Sequence, residues 1–529
     1  MRFLRAYDNI NRLINIYGDL RMLAKLTSYA LDGLTGYAVD VEIDINSGLP
    51  GYDMVGLAST ATKESKERVR SAIKNSGFQY PAKRIIVNLA PADTKKEGPT
   101  FDLPVALGIM AATGQIENKS YKNYVIIGEL SLDGQLRHVN GIMPLLISAM
   151  QEGHKKFIIP EENAREASFI EGIEVYALPT LRDVVEMLSG VVYEKVPTST
   201  YESACVCHGY GVDFADVKGQ TVAKRAMEIA VAGGHNVLMI GPPGAGKTML
   251  AKCVPTIMPE MTFEEAIEVT KIHSVAGILD SSIGIVTTRP FRTPHHTTTV
   301  PALVGGGAKA KPGEVSLANH GVLFLDEMPE YSRHALETLR QPLEDRKVTV
   351  SRVQQTTEYP ANFMLVASMN PCPCGNYGSK NQICRCTPSQ IHNYVSKLSG
   401  PLMDRIDLQI EVDNITYDEL RGKQSGETSA QIKERINRVR KLQRERFAND
   451  GIMTNAEMGS RELAKYCQID KDCERLLQKA FDKLNLSARG TTRILKVART
   501  IADIEGEENI LPAHIAEAIQ YRGLDRKYS

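Results

Sequence analysis

The spacing of apolar positions changes along the chain, and the changes divide it. Val39, Val41, Ile43 and Ile45 alternate with Asp40, Glu42 and Asp44, the period of a strand with one buried face. Further strands are predicted at 85–89, 124–129, 157–159 and 173–177, and helices at 59–75, 102–113, 143–151 and 181–188. Residues 22–190 therefore read as one mixed α and β domain. Residues 1–21 carry a looser helical spacing (Leu4, Ile10, Leu13, Ile14, Tyr17) with no cap and no clear packing partner. They are expected to be a non-native or disordered extension, with Met22 as the natural start. Residues 191–212 are rich in Pro, Ser, Thr and Gly with little periodicity, as a linker is.

Beyond the linker the pattern changes. A helix is predicted at 222–232, and uninterrupted apolar runs at 237–240, 321–325 and 363–369 read as buried strands. Residues 213–425 are thus predicted as an α/β core. From 426 to 529 the spacing is mostly helical, beginning with a long charged helix at 428–447, and this part is expected to form a lid.

Composition adds limits. A length of 529 residues suits about three or four domains. The formal net charge of zero argues against a broad basic coat and leaves room for a local basic channel. No apolar run approaches the ~18 residues a membrane helix needs, and the N-terminus lacks the apolar stretch of a signal peptide, so a cytoplasmic protein without membrane partners is expected.

The run at 237–240 breaks into Gly241-Pro242-Pro243-Gly244-Ala245-Gly246-Lys247-Thr248, followed by Met249 and a helical pattern. Glycines at this spacing let backbone N–H groups curl around phosphates, and the helix start behind them adds partial positive charge. Lys247 is then placed to reach the outer phosphates and Thr248 to hold Mg²⁺. About 80 residues on, the run at 321–325 ends in Asp326 and Glu327. Asp326 is the second candidate for Mg²⁺, and Glu327 the candidate that orients and polarises an attacking water. ATP is the expected nucleotide.

Cys372 and Cys374, with Cys384 and Cys386, bracket a short polar loop. Two readings stand: a Zn²⁺ site with four thiolates, or reduced structural thiols. Residues 346–353 alternate like a hairpin strand, and Lys347 and Arg352 on it either grip phosphates or form a charged edge that blocks aggregation. His295 and His296 have no partner at ligand spacing, and neither do Cys205, Cys207 and His208; loop roles are expected for them.

Several phrases carry a resemblance. They are GLPGYDMVGL (48–57), KESKERVRSAIKNSGF (63–78), RIIVNLAPADTKKEGPTFDLPVALGI (84–109), GELSLDGQLRHVNGIMPLL (128–146) and RPFRTPHHTTTVPALVGGGAKAKPGEVSLANHGVLFLDEMPE (289–330). Together they resemble the magnesium-chelatase-like AAA+ ATPases of the ComM/YifB family, and the resemblance runs from Met22 to about Arg522. It implies an α/β P-loop AAA+ core with a C-terminal helical lid. It also implies a preceding α+β domain with the Lon-protease-like fold (ribosomal protein S5 domain 2-like). Where a Lon protease has its Ser and Lys, this chain has Thr100 and Met143, and a Met cannot act as a base, so the domain reads as non-catalytic.

The same resemblance assigns roles. Val217 and Gly219 fall in the element that lies against the adenine, and Asn370 looks like sensor 1. Arg405, in Gly400-Pro401-Leu402-Met403-Asp404-Arg405, is the candidate arginine finger; the alternative pairs it with Asp404 or Asp407 of its own subunit. Arg493, in a helix resembling sensor 2, is placed on the γ-phosphate. A finger acting between subunits implies a homo-oligomer, a hexameric ring. The family resemblance implies a DNA helicase for branch migration in transformation or recombination. A protein-remodelling or chelatase-type motor is the alternative, and an ATP-dependent protease is disfavoured by Thr100 and Met143.

Overall fold

The computed structural model describes residues 23–57, 64–94, 96, 98–117, 119–205, 211–307, 310–351, 356–378, 382–414, 426–484 and 486–522. The predicted extension at 1–21, the start of the helix predicted at 59–75, Cys207, His208 and Arg352 lie outside them. The described residues up to 205, together with 266–286, make one compact unit; 211–265 and 287–522 make the other.

The first unit is built on a seven-stranded sheet. β1 (Leu23–Asp32) and β2 (Thr35–Asn46) form an antiparallel hairpin whose turn uses Gly33 at φ +61°. β3 (Gly51–Val55), β4 (Arg84–Ala90), β5 (Val125–Ile126), β6 (Lys156–Pro160) and β7 (Glu174–Leu178) complete it in the order β3-β4-β2-β1-β5-β6-β7. The alternation predicted at 39–45 lies in β2, with Val39, Val41 and Ile43 fully buried and Asp40, Glu42 and Asp44 partly open. Helices α1 (Ser65–Asn75), α2 (Asp102–Ala112) and α4 (Leu181–Leu188) share one core with Val41 and Ile43. Helix α3 (Ile142–Gln151) builds a second core with Tyr29, Val125 and Phe157. In β6, Ile158 belongs to the first core and Phe157 and Ile159 to the second, so the sheet is covered on both faces.

Residues 266–286 join this unit although the chain on either side belongs to the other. Ile267 packs on the α3 core, and Ser274 Oγ donates to Glu166 at 2.6 Å.

The second unit contains a five-stranded parallel sheet. Its strands are β8 (Val237–Ile240), β9 (Phe291–Arg292), β10 (Val322–Leu325), β11 (Met364–Met369) and β12 (Leu408–Glu411), in the order β9-β10-β11-β8-β12. β8, β10 and β11 are buried at every position, which is why they read as continuous apolar runs. From β8 the chain goes to the far edge, returns through β10 and β11, and ends on the other side of β8. Such a reversal opens a crevice beyond the carboxyl ends of the strands.

Helices α5 (Thr221–Gly233) and α6 (Lys247–Ile257) flank this sheet. The C-terminal helices are α7 (Ser429–Arg446), α8 (Lys471–Leu484), α9 (Ala488–Glu505) and α10 (Pro512–Gln520). Ile432, Ile436, Val497 and Ile501 share one core with Met227, Val237 and Leu250, so these helices are fused to the sheet rather than standing apart. Polar links reinforce the fusion: Arg435 pairs with Glu228 at 2.6 Å, and Gln443 Nε2 donates to the Ala232 carbonyl at 3.1 Å.

Candidate active site

The crevice beyond the carboxyl ends of β8, β10 and β11 collects most of the motif residues. β8 runs into the loop 241–246, and α6 begins at Lys247 with Gly246 as its N-cap at φ +88°. Gly241 serves a close approach: a Cβ on it would lie 2.2 Å from the Val412 carbonyl oxygen just past β12. Gly244 has φ +78° and open space around it, so backbone freedom is what its position requires.

Lys247 is almost fully buried. Its Nζ donates to the carbonyls of Gly241 (2.6 Å) and Pro242 (2.9 Å) and to Asn370 Oδ1 (3.2 Å). Burial lowers the Lys247 pKa, opposed by the charges of Asp326 and Glu327. Thr248 Oγ1 donates to Asp326 Oδ2 at 3.0 Å. Asp326 Oδ1 accepts from Ser368 on β11 and from the Glu327 amide (3.1 Å). Glu327 itself stands at φ +50°, a left-handed conformation that costs a non-glycine residue on the order of 1 kcal/mol or more. Lys247, Thr248, Asp326 and Asn370 are thus linked in one hydrogen-bonded cluster, with Glu327 next to Asp326.

The stretch carrying Val217 and Gly219 lies beside this cluster. Val217 is buried, Gly219 has φ +58°, and Gln220 Nε2 donates to the carbonyls of Ala245 (3.3 Å) and Asp413 (2.5 Å). Gln220 carried no motif signal; its partners are 25 and 193 residues away.

Two predicted residues lie elsewhere. Arg493 on α9 pairs with Asp407 at 2.5 Å, and the Asp407 amide bonds Asn236, the residue before β8. Arg493 is therefore at the amino end of the sheet, while loop 241–248 is at the carboxyl end. With strands of four to six residues, that separation is roughly 13–20 Å. The structure does not bring Arg493 to the loop 241–248 of its own chain. Arg405 lines the same amino-end cleft of about 640 Å³ as Arg493, with Arg346, Arg440, Arg489 and Lys496. Neither Asp404 nor Asp407 holds Arg405; Glu344 does, and Nη1 donates to the Pro401 carbonyl at 2.7 Å. The Nε atoms of Arg405 and Arg440 are buried without a hydrogen-bond partner, an arrangement suited to an anion.

The four cysteines converge. Their Sγ atoms all lie within 4.8 Å of one another, in the group of candidate metal ligands found among the described residues. In the hairpin of Lys347–Ser351 and Thr356–Pro360, Lys347 pairs across the strands with Glu358 at 3.0 Å. His295 and His296 pack ring to ring at 4.1 Å, and His295 Nδ1 bonds Thr297 Oγ1 at 2.8 Å.

In the first unit Met143 is fully buried, and its amide donates to Glu166 at 2.9 Å; its thioether offers no base. Glu166 is pushed up to about 7 by burial, with Ser274 and the Met143 amide opposing the shift.

Three family models match successive stretches of the chain. The family model for magnesium chelatase, subunit ChlI, matches residues 213–420. Those for subunit ChlI of Mg-chelatase and for the ChlI C-terminal part match 41–163 and 426–522. Competence protein ComM of Haemophilus influenzae is 46% identical over 512 residues, covering 95% of this chain and 98% of its own length. The uncharacterised protein YifB of Escherichia coli is 42% identical over 496 residues, covering 93% and 96%. Lon protease 2 of Bacillus subtilis is 31% identical over 125 residues, 23% of this chain and 22% of that protease.

Proposed function

The chain belongs to the magnesium-chelatase-like AAA+ ATPases of the ComM/YifB family, and from that premise we propose that it is an ATP-hydrolysing ring motor acting on DNA, promoting branch migration in natural transformation or recombination. The observation that carries the ATPase reading is the hydrogen-bonded cluster of Lys247, Thr248, Asp326 and Asn370 at the carboxyl ends of adjacent parallel strands.

In this reading the amides of 241–248 and Lys247 bind the phosphates, Lys247 exchanging two loop carbonyls for phosphate oxygens. Thr248 and Asp326 present two oxygens 3.0 Å apart, hard donors that suit Mg²⁺. When bound, that ion neutralises charge on the phosphates. Glu327 orients and polarises the attacking water, and Asn370 positions it as sensor 1. Val217 and Gly219 lie against the adenine. Residues 426–522 form the helical lid, and the first unit is a Lon-like, S5 domain 2-like module without protease chemistry.

Arg405 and Arg493 serve a neighbour's nucleotide. Their place at the amino ends of the strands supports this, because neither reaches the loop at the carboxyl ends. The site is then completed only in a homo-oligomer, a hexameric ring, and an arginine finger there is worth ~10³–10⁵ in rate. Zn²⁺ at the cysteine quartet completes the cofactors. Among the described residues no helix is long and apolar enough to cross a membrane, and the reading places the motor with its DNA in the cytoplasm.

The DNA part rests on the near full-length likeness to competence protein ComM. The names of the three matching family models favour a second reading, a chelatase-type or protein-remodelling motor. Measuring ATP turnover with and without single-stranded DNA, and branch migration on a Holliday junction, separates the two. Stimulation and migration are expected, with Glu327→Gln binding ATP but turning over at least ~100-fold more slowly. A Glu327→Gln chain that forms ATP-bound rings, beside a wild type that ignores both DNAs, would reject the DNA reading and leave the ATPase standing.

A further inference from the structure

The cysteine quartet follows directly on Asn370. Cys372 is fully buried, and its carbonyl accepts the Gly375 amide at 2.9 Å. Gly375 has φ +80°, and a Cβ on it would lie 2.5 Å from Pro243 Cδ. The turn of the cysteine loop therefore rests on the phosphate loop, and its first cysteine is two residues from the group that bonds Lys247.

The sulfur geometry suits a tetrahedral ion. Cys372 Sγ is 3.4 Å from Cys374 Sγ and 3.7 Å from Cys384 Sγ, and the last two are 3.7 Å apart. A disulfide needs about 2.05 Å. Four thiolates about 2.3 Å from a common Zn²⁺ stand about 3.8 Å apart. A backbone donor also meets the quartet: Tyr377 N–H reaches Cys372 Sγ at 3.3 Å. Donors aimed at sulfur stabilise thiolate charge and orient it, as the outer shell of a metal site does.

We propose that Cys372, Cys374, Cys384 and Cys386 bind one Zn²⁺ and that this ion braces the phosphate loop through Gly375 and Pro243, and Asn370 through Cys372. Binding releases the thiol protons to solvent and involves no change of oxidation state. The ion takes no part in hydrolysis. It holds the loop in the shape that accepts phosphates, so the entropy of ordering that loop is not charged to ATP binding. The brace rests on the reading of 241–248 as the nucleotide site; the metal site does not.

The test uses the full-length protein. Zinc is counted by atomic emission, and Mg²⁺–ATP affinity is measured with a fluorescent ATP analogue. Both are repeated after stripping with an organomercurial and chelator, once excess dithiothreitol has displaced the mercurial from the thiols and both have been removed, and again after Zn²⁺ is returned. The expected result is about one zinc per chain, roughly tenfold weaker ATP binding on stripping, and recovery on return. No zinc in protein purified without chelators overturns the metal site. Zinc whose removal leaves ATP affinity unchanged overturns the brace. A zinc-replete chain that binds no ATP refutes the nucleotide reading and the brace with it, while the zinc count still decides the site. Should stripping unfold the protein, Pro243→Ala replaces it, removing the ring atoms that Gly375 rests on while leaving all four thiols. Zinc retained with weakened ATP binding is expected, and zinc retained with unchanged ATP affinity overturns the brace.

Discussion

Asp407 shows how much one ion pair in this molecule decides. Burial pushes its pKa up, yet Arg493 and His235 outweigh burial and hold it well below the usual carboxylate range. Removing Arg493 would take the guanidinium from a buried carboxylate and leave it the Asn236 amide and the His235 ring, a loss of up to about 3–5 kcal/mol. Arg493→Ala is therefore expected to lower the melting temperature whatever Arg493 does for nucleotides. Arg493→Lys keeps the charge but not the planar fork. It is expected to melt within a few degrees of wild type while losing ATP turnover, and wild-type turnover would remove Arg493 from the shared site. Glu166 and Asp102 titrate in the opposite sense. Burial raises them to about 7 and about 6, Asp102 in spite of its bond to Arg68. Both folded values exceed the unfolded ones near 4, so their contribution is full below that and lost as pH rises through 6 to 7. The first unit is thus expected to melt lower at about pH 8 than at about pH 5, and Glu166→Gln to flatten most of that slope in calorimetry. Motif residues such as Lys247 and Asp326 were legible because their chemistry is written in consecutive positions. Glu166 was not, because Ser274, its partner, is 108 residues away. Nor was Glu344, the residue that holds Arg405 across 61 residues.

Among elements, β2, α4 and the strands β8 and β10 follow from periodicity, since each has a continuous or alternating apolar pattern. β1 was missed. Of its inward positions Ala24, Leu26, Ser28 and Ala30, only Leu26 is large and apolar, too little to raise the period of two above its surroundings. β12 was missed as well, because four residues beside a helix-like phrase leave no pattern to read. One close approach between elements falls at Gly241, between β8 and the exit of β12. Gly241→Ala sets a methyl 2.2 Å from a backbone oxygen that cannot swing aside. The expected cost is at least about 2 kcal/mol, read as a lowered urea midpoint, and a neutral effect would mean that β8 and β12 separate easily. On α9 the Ser487 side chain caps the helix by accepting the Gly490 amide at 3.1 Å. Ser487→Ala is expected to cost about 1 kcal/mol by the same measurement. In the strand pair Lys347–Ser351 and Thr356–Pro360, the Lys347–Glu358 ion pair fits a charged edge strand.

For the whole molecule, the assignment of 266–286 to the first unit was not legible, since it depends on contacts such as Ile267 with the α3 core rather than on any change of composition. The fusion of the C-terminal helices to the sheet was equally hidden, because a shared core leaves no mark at the boundary. That fusion has a consequence for mechanism. α9 shares one core with α5 and β8, and Lys247 and Arg493 sit at opposite strand ends. In the proposed ring, each site then takes its loop from one subunit and its arginines from the next. Mixing two inactive variants tests this most directly. Lys247→Ala lacks a working loop and Arg405→Ala lacks the finger, so each ring alone is expected to be nearly inert. After the two proteins are mixed and reassembled, about a quarter of the interfaces pair an intact loop with an intact finger, and ATP turnover is expected to return to a comparable fraction of wild type. Turnover that stays at the level of the separate variants, in rings shown to contain both, would contradict a site shared between subunits.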